Sequence, residues 1–138
     1  MNKYDNAIRI MEERCGNGKE VVIALATISL YPNAKGNPRP AVRMVCAYYE
    51  DGVFYVSTDA KKSKTLQIEK NNEVSVSSFD WYTFHGIAEN LGWVKDDKNA
   101  VIRAKFKKVF DWFDEVGGED NPNSIVLRIT LTEGTITD

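Results

Sequence analysis

The chain has 138 residues, 43% hydrophobic and 28% charged, which suits one folded domain spanning 1–138 and leaves no room for a second. With 18 Lys and Arg against 20 Asp and Glu the formal net charge is −2, so nothing global draws the protein to nucleic acid or an anionic membrane, and any anion site must be local. The first residues, Met1-Asn2-Lys3-Tyr4-Asp5-Asn6, lack the apolar core of a signal peptide, and no apolar run approaches the ~20 residues of a membrane span, so a cytoplasmic location is expected.

In residues 4–15, Ala7, Ile8, Met11 and Cys15 recur at helical spacing, and Gly16-Asn17-Gly18 stops the helix. Residues 21–30 are β-branched and apolar and read as a largely buried strand. Pro32, Gly36, Pro38 and Pro40 then mark a loop. Residues 41–49 and 53–58 flank Glu50-Asp51-Gly52, where Gly accepts the positive φ of a tight turn, so the two form an antiparallel hairpin. Lys61, Lys62, Ser63, Lys64, Leu66, Ile68 and Glu69 suit a short helix that ends at Asn71-Asn72, and residues 74–77 and 83–94 are further strands. Asp96-Asp97 is placed to cap a helix starting near Lys98, whose spacing through Ala100, Ala104, Phe106, Val109, Phe110 and Phe113 ends at Gly117-Gly118. Asp120-Asn121-Pro122-Asn123 is a turn, and the alternation of residues 124–132 predicts a strand with one buried face. Short strands joined locally, without regular βαβ alternation, favour a mainly β, closed or split antiparallel barrel flanked by helices over a doubly wound sheet.

Chemistry is thinly signalled. His85 is the single histidine, without a nucleophile motif around it, and fits a packing or hydrogen-bonding role. Cys15 and Cys46 lack paired spacing and read as reduced thiols, and no Cys or His cluster has metal-ligand spacing. Gly-rich phosphate loops are missing, so a phosphate would have to be held by side chains. Thr58, Ser63 and Lys64, facing Arg43 across the hairpin, offer hydroxyl, ammonium and guanidinium donors where a strand ends and a helix begins, although lysines opening a surface helix are usually only solvated.

Arg43-Met44-Val45, then the hairpin, then Phe54-Tyr55-Val56-Ser57-Thr58, then the run from Ser63-Lys64 to Glu73-Val74, then an aromatic strand reaching Gly86-Ile87-Ala88-Glu89, form an ordered combination. It resembles the flavin-binding half of the pyridoxamine 5′-phosphate oxidase-like family over residues 20–95, with a looser match in the last strand. The resemblance implies a six-stranded antiparallel split β-barrel of Greek-key type that forms a homodimer, with FMN in two clefts at the subunit interface. By position, Arg43 and Lys64 would bind the FMN phosphate with Ser63 and Thr58, while Met44, Val45 and Ser57 would lie along the ribityl chain and ring.

The departures are informative too. Tyr48 stands where the oxidase has a lysine for its substrate phosphate, Trp81 stands near the place of a ring-contacting glutamine, and the oxidase's C-terminal Arg and His have no counterpart before Asp138. Vitamin B6 oxidation is therefore not expected, and short relatives resembling general stress or nitroimidazole-reductase-like proteins fit better. Trp81 and Trp112 are candidates for a flat pocket wall. An FMN-dependent oxidoreductase acting on a small molecule is one expectation, with no acid or base nominated. A non-catalytic or stress-related binder of flavin, deazaflavin F420 or haem is the other, haem being disfavoured because His85 is the sole candidate axial ligand.

Overall fold

Asp51 and Gly52 both adopt positive φ, 50° and 81°, the mirror-image turn whose twist matches that of paired strands, and this turn fixes the hairpin between β2 (Pro40–Glu50) and β3 (Val53–Asp59). The structure, a computed structural model, describes residues 3–116 and 118–137. Its other elements are α1 (Lys3–Cys15), β1 (Val21–Ile28), α2 (Ser63–Lys70), β4 (Glu73–Ser77), β5 (Tyr82–Trp93), α3 (Ala100–Val109) and β6 (Ser124–Ile136). The strands close into an antiparallel barrel in the order β1-β2-β3-β6-β5-β4, confirming the six-stranded expectation.

Period-two alternation turns Ile23, Leu25, Phe54, Val56, Val76, Phe84, Leu127 and Ile129 into the barrel, where they are almost wholly removed from water. The apolar stripe of α1, Ala7, Met11 and Cys15, packs on this core, and Tyr4 ties the helix down by donating to the Leu131 carbonyl at 2.7 Å. At Gly86, beside a register shift, β6 comes so close that a Cβ would sit 2.9 Å from the Thr130 carbonyl oxygen, which leaves room for glycine alone.

A second core lies outside the barrel wall, where Tyr48, Val94 and Val126 meet Ile102, Phe106, Phe110 and Phe113. It alters two expectations. The start of β6 is buried on both faces, from Ser124 to Leu127, because Ile125 and Leu127 point inward while Val126 sits under α3. The last helix ends at Val109 rather than running through Phe113: Phe110 turns extended, and the chain continues in turns. Leaving the helix there lets Phe110 and Phe113 both contact Phe106, with centroids 5.1 and 5.8 Å away, which a continuing helix would not permit for both. Of the glycines expected to stop that helix, Gly117 lies outside the described residues. Asp96 caps the preceding 3₁₀ turn by accepting from the Lys98 amide at 3.2 Å, as its position foretold.

On the outer surface of β1 and β2 the paired rows Val22–Cys46, Ala24–Met44 and Ala26–Val42 form an apolar face, on which Val22, Met44 and Val42 are 54%, 60% and 70% exposed. No helix of the described chain is long and apolar enough to cross a membrane.

Asn99 joins the second core to the barrel: buried, it donates to the carbonyls of Leu91 at 3.1 Å and Trp93 at 2.9 Å. Asn99→Leu removes the Asn99 donor from the Leu91 carbonyl and one of the two donors to the Trp93 carbonyl, which keeps the Asp96 amide at 3.0 Å, and is expected to lower stability by about 1–3 kcal/mol in urea denaturation.

Candidate functional site

β2 pairs with β3 only over Tyr48–Tyr55, Tyr49–Phe54 and Glu50–Val53, whereas β3 continues along β6 as far as Asp59–Ser124. Beyond Tyr48 the two strands part, and the wall splits. Backbone edges of both strands face this gap without ladder partners from one another, which gives a ligand polar groups to bond.

α2 begins at one margin of the split, and Asp59 shapes its entry. The Asp59 carboxylate accepts from the Lys61 amide at 2.8 Å and from Asn121 Nδ2 at 3.1 Å, and its carbonyl accepts from Thr65 Oγ1 at 2.9 Å. The Lys61 amide, then Asn121, hold that carboxyl below the ordinary carboxylate range. The next helical residue on this side, Lys64, donates its Nζ to Thr58 Oγ1 at 3.0 Å.

Arg43 reaches the same region from β2. Its Nη1 donates to Thr27 Oγ1 at 2.7 Å and to the Leu25 carbonyl at 3.1 Å, and its Nη2 donates to Gln67 Oε1 at 3.1 Å. Gln67 also accepts from the Thr27 hydroxyl, so β1, β2 and α2 are cross-linked beneath the guanidinium. Burial pushes Arg43 down, and burial followed by the charges of Arg43 and Lys62 pushes Lys64 down, against a smaller opposing pull from Asp59. Neither Arg43 nor Lys64 forms an ion pair among the described residues. The first turn of α2 has no side-chain cap, and with the Thr65 amide already bonded to the Lys62 carbonyl at 3.1 Å the amides of Ser63 and Lys64 are the ones left for an anion. Two desolvated cations, hydroxyls and helix amides are a donor set suited to a phosphate monoester.

The split opens into two adjoining pockets. One, about 190 Å³, is lined by Val45, Cys46, Val56, Ser57, Thr58, Lys64 and Trp112. Its neighbour, about 230 Å³, shares Ser57, Thr58 and Trp112 and adds Asp59, Lys62, Val116, Asn121 and Ser124. Trp112 stands between them with its ring stacked on Phe110 at 4.8 Å and its Nε1 donating to Glu20 at 2.6 Å. Cys46 lies beside it, its thiol pushed up by burial and then by Glu20.

Val45, Ser57, Thr58 and Lys64 line one cleft, while Arg43 lines neither pocket and lies near enough for its charge to act on Lys64. Met44 carries its side chain to the outer sheet face, leaving only its backbone for the cleft, and Ser63 is exposed at the first position of α2. Trp81 sits elsewhere in this subunit: its ring lies under the Arg14 guanidinium at 4.8 Å and edge-on to Tyr82. His85 is exposed and bonds Ser75 Oγ through Nδ1 at 2.8 Å, outside both pockets. Tyr48 is buried in the second core rather than offered to a ligand. Thr27, Gln67, Glu20, Asp59 and Asn121 were not singled out by sequence. Only Gln67 carried a hint, three residues after Lys64 on one side of α2.

A family profile described as pyridoxamine 5′-phosphate oxidase matches residues 17–138. The chain belongs to this family. Among solved structures the oxidase-family chain is similar to a NimC/NimA family protein from Clostridium acetobutylicum, at 22% identity over 99% of this chain and 90% of that one with a TM-score of 0.66. HutZ, described as the haem storage protein of Vibrio cholerae, follows at 14% identity, 96% and 93% coverage and 0.65. An FAD-binding protein from Mesorhizobium loti follows at 20% identity, 82% of each chain and 0.58. At such identities the likeness speaks for the fold, one that includes a flavin-binding protein. No curated protein sequence matches the chain.

The depressed ammonium of Lys64 makes its burial a net cost. Its folded pKa lies below its unfolded one, so the unfolded state holds the proton more tightly and stability rises as pH climbs through that window. Lys64→Met is therefore expected to raise the urea midpoint of the ligand-free protein at neutral pH, and the gain should shrink as pH approaches the ordinary lysine range.

Proposed function

We propose that the cleft binds FMN and that the protein is a homodimeric, cytoplasmic FMN-dependent oxidoreductase acting on a small molecule. The observation that carries this reading is the part-buried Lys64, lining a split with Val45, Ser57 and Thr58, and the part-buried Arg43 whose charge acts on it, neither with an ion-pair partner among the described residues. The phosphate takes charge-assisted bonds from Arg43, Lys64, Thr58 and Ser63. Backbone groups of Met44 and Val45 and the side chain of Ser57 border the ribityl chain and the ring. A bound flavin supplies hydride or electron transfer, and the protein supplies position and electrostatics. Trp112 and Cys46 give the cleft a wall that restricts water.

Dimer formation is supported by the apolar outer face of β1 and β2. A contiguous patch of Val22, Val42, Met44 and three alanine or cysteine neighbours is costly to leave in water, and a second copy presenting the same face would cover it. The patch adjoins the split at Cys46, so a partner seated there would border the cleft. His85, on the outer barrel surface with Ser75, gives no support to a haem role at this cleft.

The test is FMN titration of the flavin-stripped protein, followed by reduction of the bound flavin with NADPH or NADH. Stoichiometric uptake with Arg43→Ala or Lys64→Ala weakening it roughly 10–100-fold is expected. Met44→Asp should convert the dimer to a monomer in sedimentation and weaken FMN uptake with it. Uptake without any reduction would instead identify a carrier, and no uptake would refute the flavin reading.

A further inference from the structure

One large side chain, the indole of Trp112, borders both hollows of the split, which also share Ser57 and Thr58. At about 190 and 230 Å³ neither hollow alone reaches the ~300 Å³ at which small-molecule sites begin, so a flavin needs both and lies against that indole. The main chain on either side of Trp112 is pinned, because Phe110 and Phe113 are buried on Phe106. What can turn is the half-buried indole itself.

The indole rests on the ring of Phe110 at 4.8 Å and donates its Nε1 to Glu20 Oε1 at 2.6 Å. Nε1 is the one hydrogen-bond donor of that side chain, so a single carboxylate takes all of its polar bonding capacity. Glu20 is exposed, stands immediately ahead of β1, and also hydrogen-bonds the Cys46 thiol on β2, which lines the first hollow. It therefore fastens the indole to the strand wall from the solvent side.

Resting on the flavin reading above, we propose that Glu20 is a positioning residue that latches Trp112 over the cleft, and that flavin enters and leaves when this bond breaks and the indole turns aside. The bond is present with the cleft empty or filled and absent while the indole is displaced. It therefore adds to the barrier in both directions and leaves the equilibrium nearly untouched.

Stopped-flow association and dissociation of FMN with the flavin-stripped full chain read the latch directly. Glu20→Ala should raise both rate constants roughly tenfold, the loss of one charge-assisted hydrogen bond, while the Kd stays within about threefold. Glu20→Gln keeps an oxygen that accepts from the indole, so its rates should fall between those of Glu20→Ala and the unaltered protein. Trp112→Phe keeps a ring beside Phe110 and loses the donor, so adding Glu20→Ala to it should change neither rate by more than about twofold. Three results would each overturn the latch and leave the FMN reading standing: unchanged rates in Glu20→Ala, faster dissociation alone with a Kd weakened to match, or a Glu20 effect that survives in the Trp112→Phe background. Absence of FMN binding by the unaltered protein would overturn both.

Discussion

Two positive charges are held part-buried where the barrel wall divides, and most of the architecture around them can be understood as the means of keeping them there. Arg43 is satisfied on its inner side by Thr27, Gln67 and the Leu25 carbonyl, which fixes its direction without neutralising it. Lys64 has a single neutral partner in Thr58. Desolvation lowers both cations, and the charge of Arg43 makes Lys64 costlier still. A dianion entering between them removes that cost and gains bonds that water-exposed lysines could not offer, so an apo-state weakness becomes binding energy.

The split itself comes from unequal strand pairing. β3 remains paired with β6 for its whole length while β2 leaves it after Tyr48 to follow β1. The aromatic cluster outside the wall then fills the flank of the opening: by ending α3 at Val109 and burying Phe110 and Phe113 on Phe106, the chain delivers Trp112 to the gap, where Glu20 holds it. The second core thus shapes the cleft as well as stabilising the fold. The outer face of β1 and β2 is apolar in the same neighbourhood, so the cleft and this apolar face share the strand that carries Arg43.

Local patterns in the sequence carried much of this. Asp51-Gly52 marked the hairpin because only a few residues tolerate its dihedrals, and the lysine-rich segment after Thr58 marked a helix start beside a strand end. What escaped was set by tertiary packing. Helical periodicity in 98–113 carries no record that three phenylalanines would pack better if the helix stopped early, and alternation in β6 hides that Val126 has a cover of its own. Thr27 and Gln67 became partners of Arg43 only because β1 and α2 converge, though neither lies near it in sequence. Trp81, just before β5, stands near the place of a ring-contacting glutamine in the family it resembles, yet position along the chain does not reveal that within one subunit it lies under Arg14 rather than beside Lys64.

The central claim concerns the state of a phosphate, and phosphorus NMR of FMN in the presence of excess protein reads that state directly. Free phosphate monoesters take up a proton near pH ~6. If Arg43 and Lys64 grip the group, the bound resonance will stay at the dianion position well below that pH. A resonance that follows the free titration curve would mean that the phosphate lies in solvent, and the account of the cleft given above would be wrong.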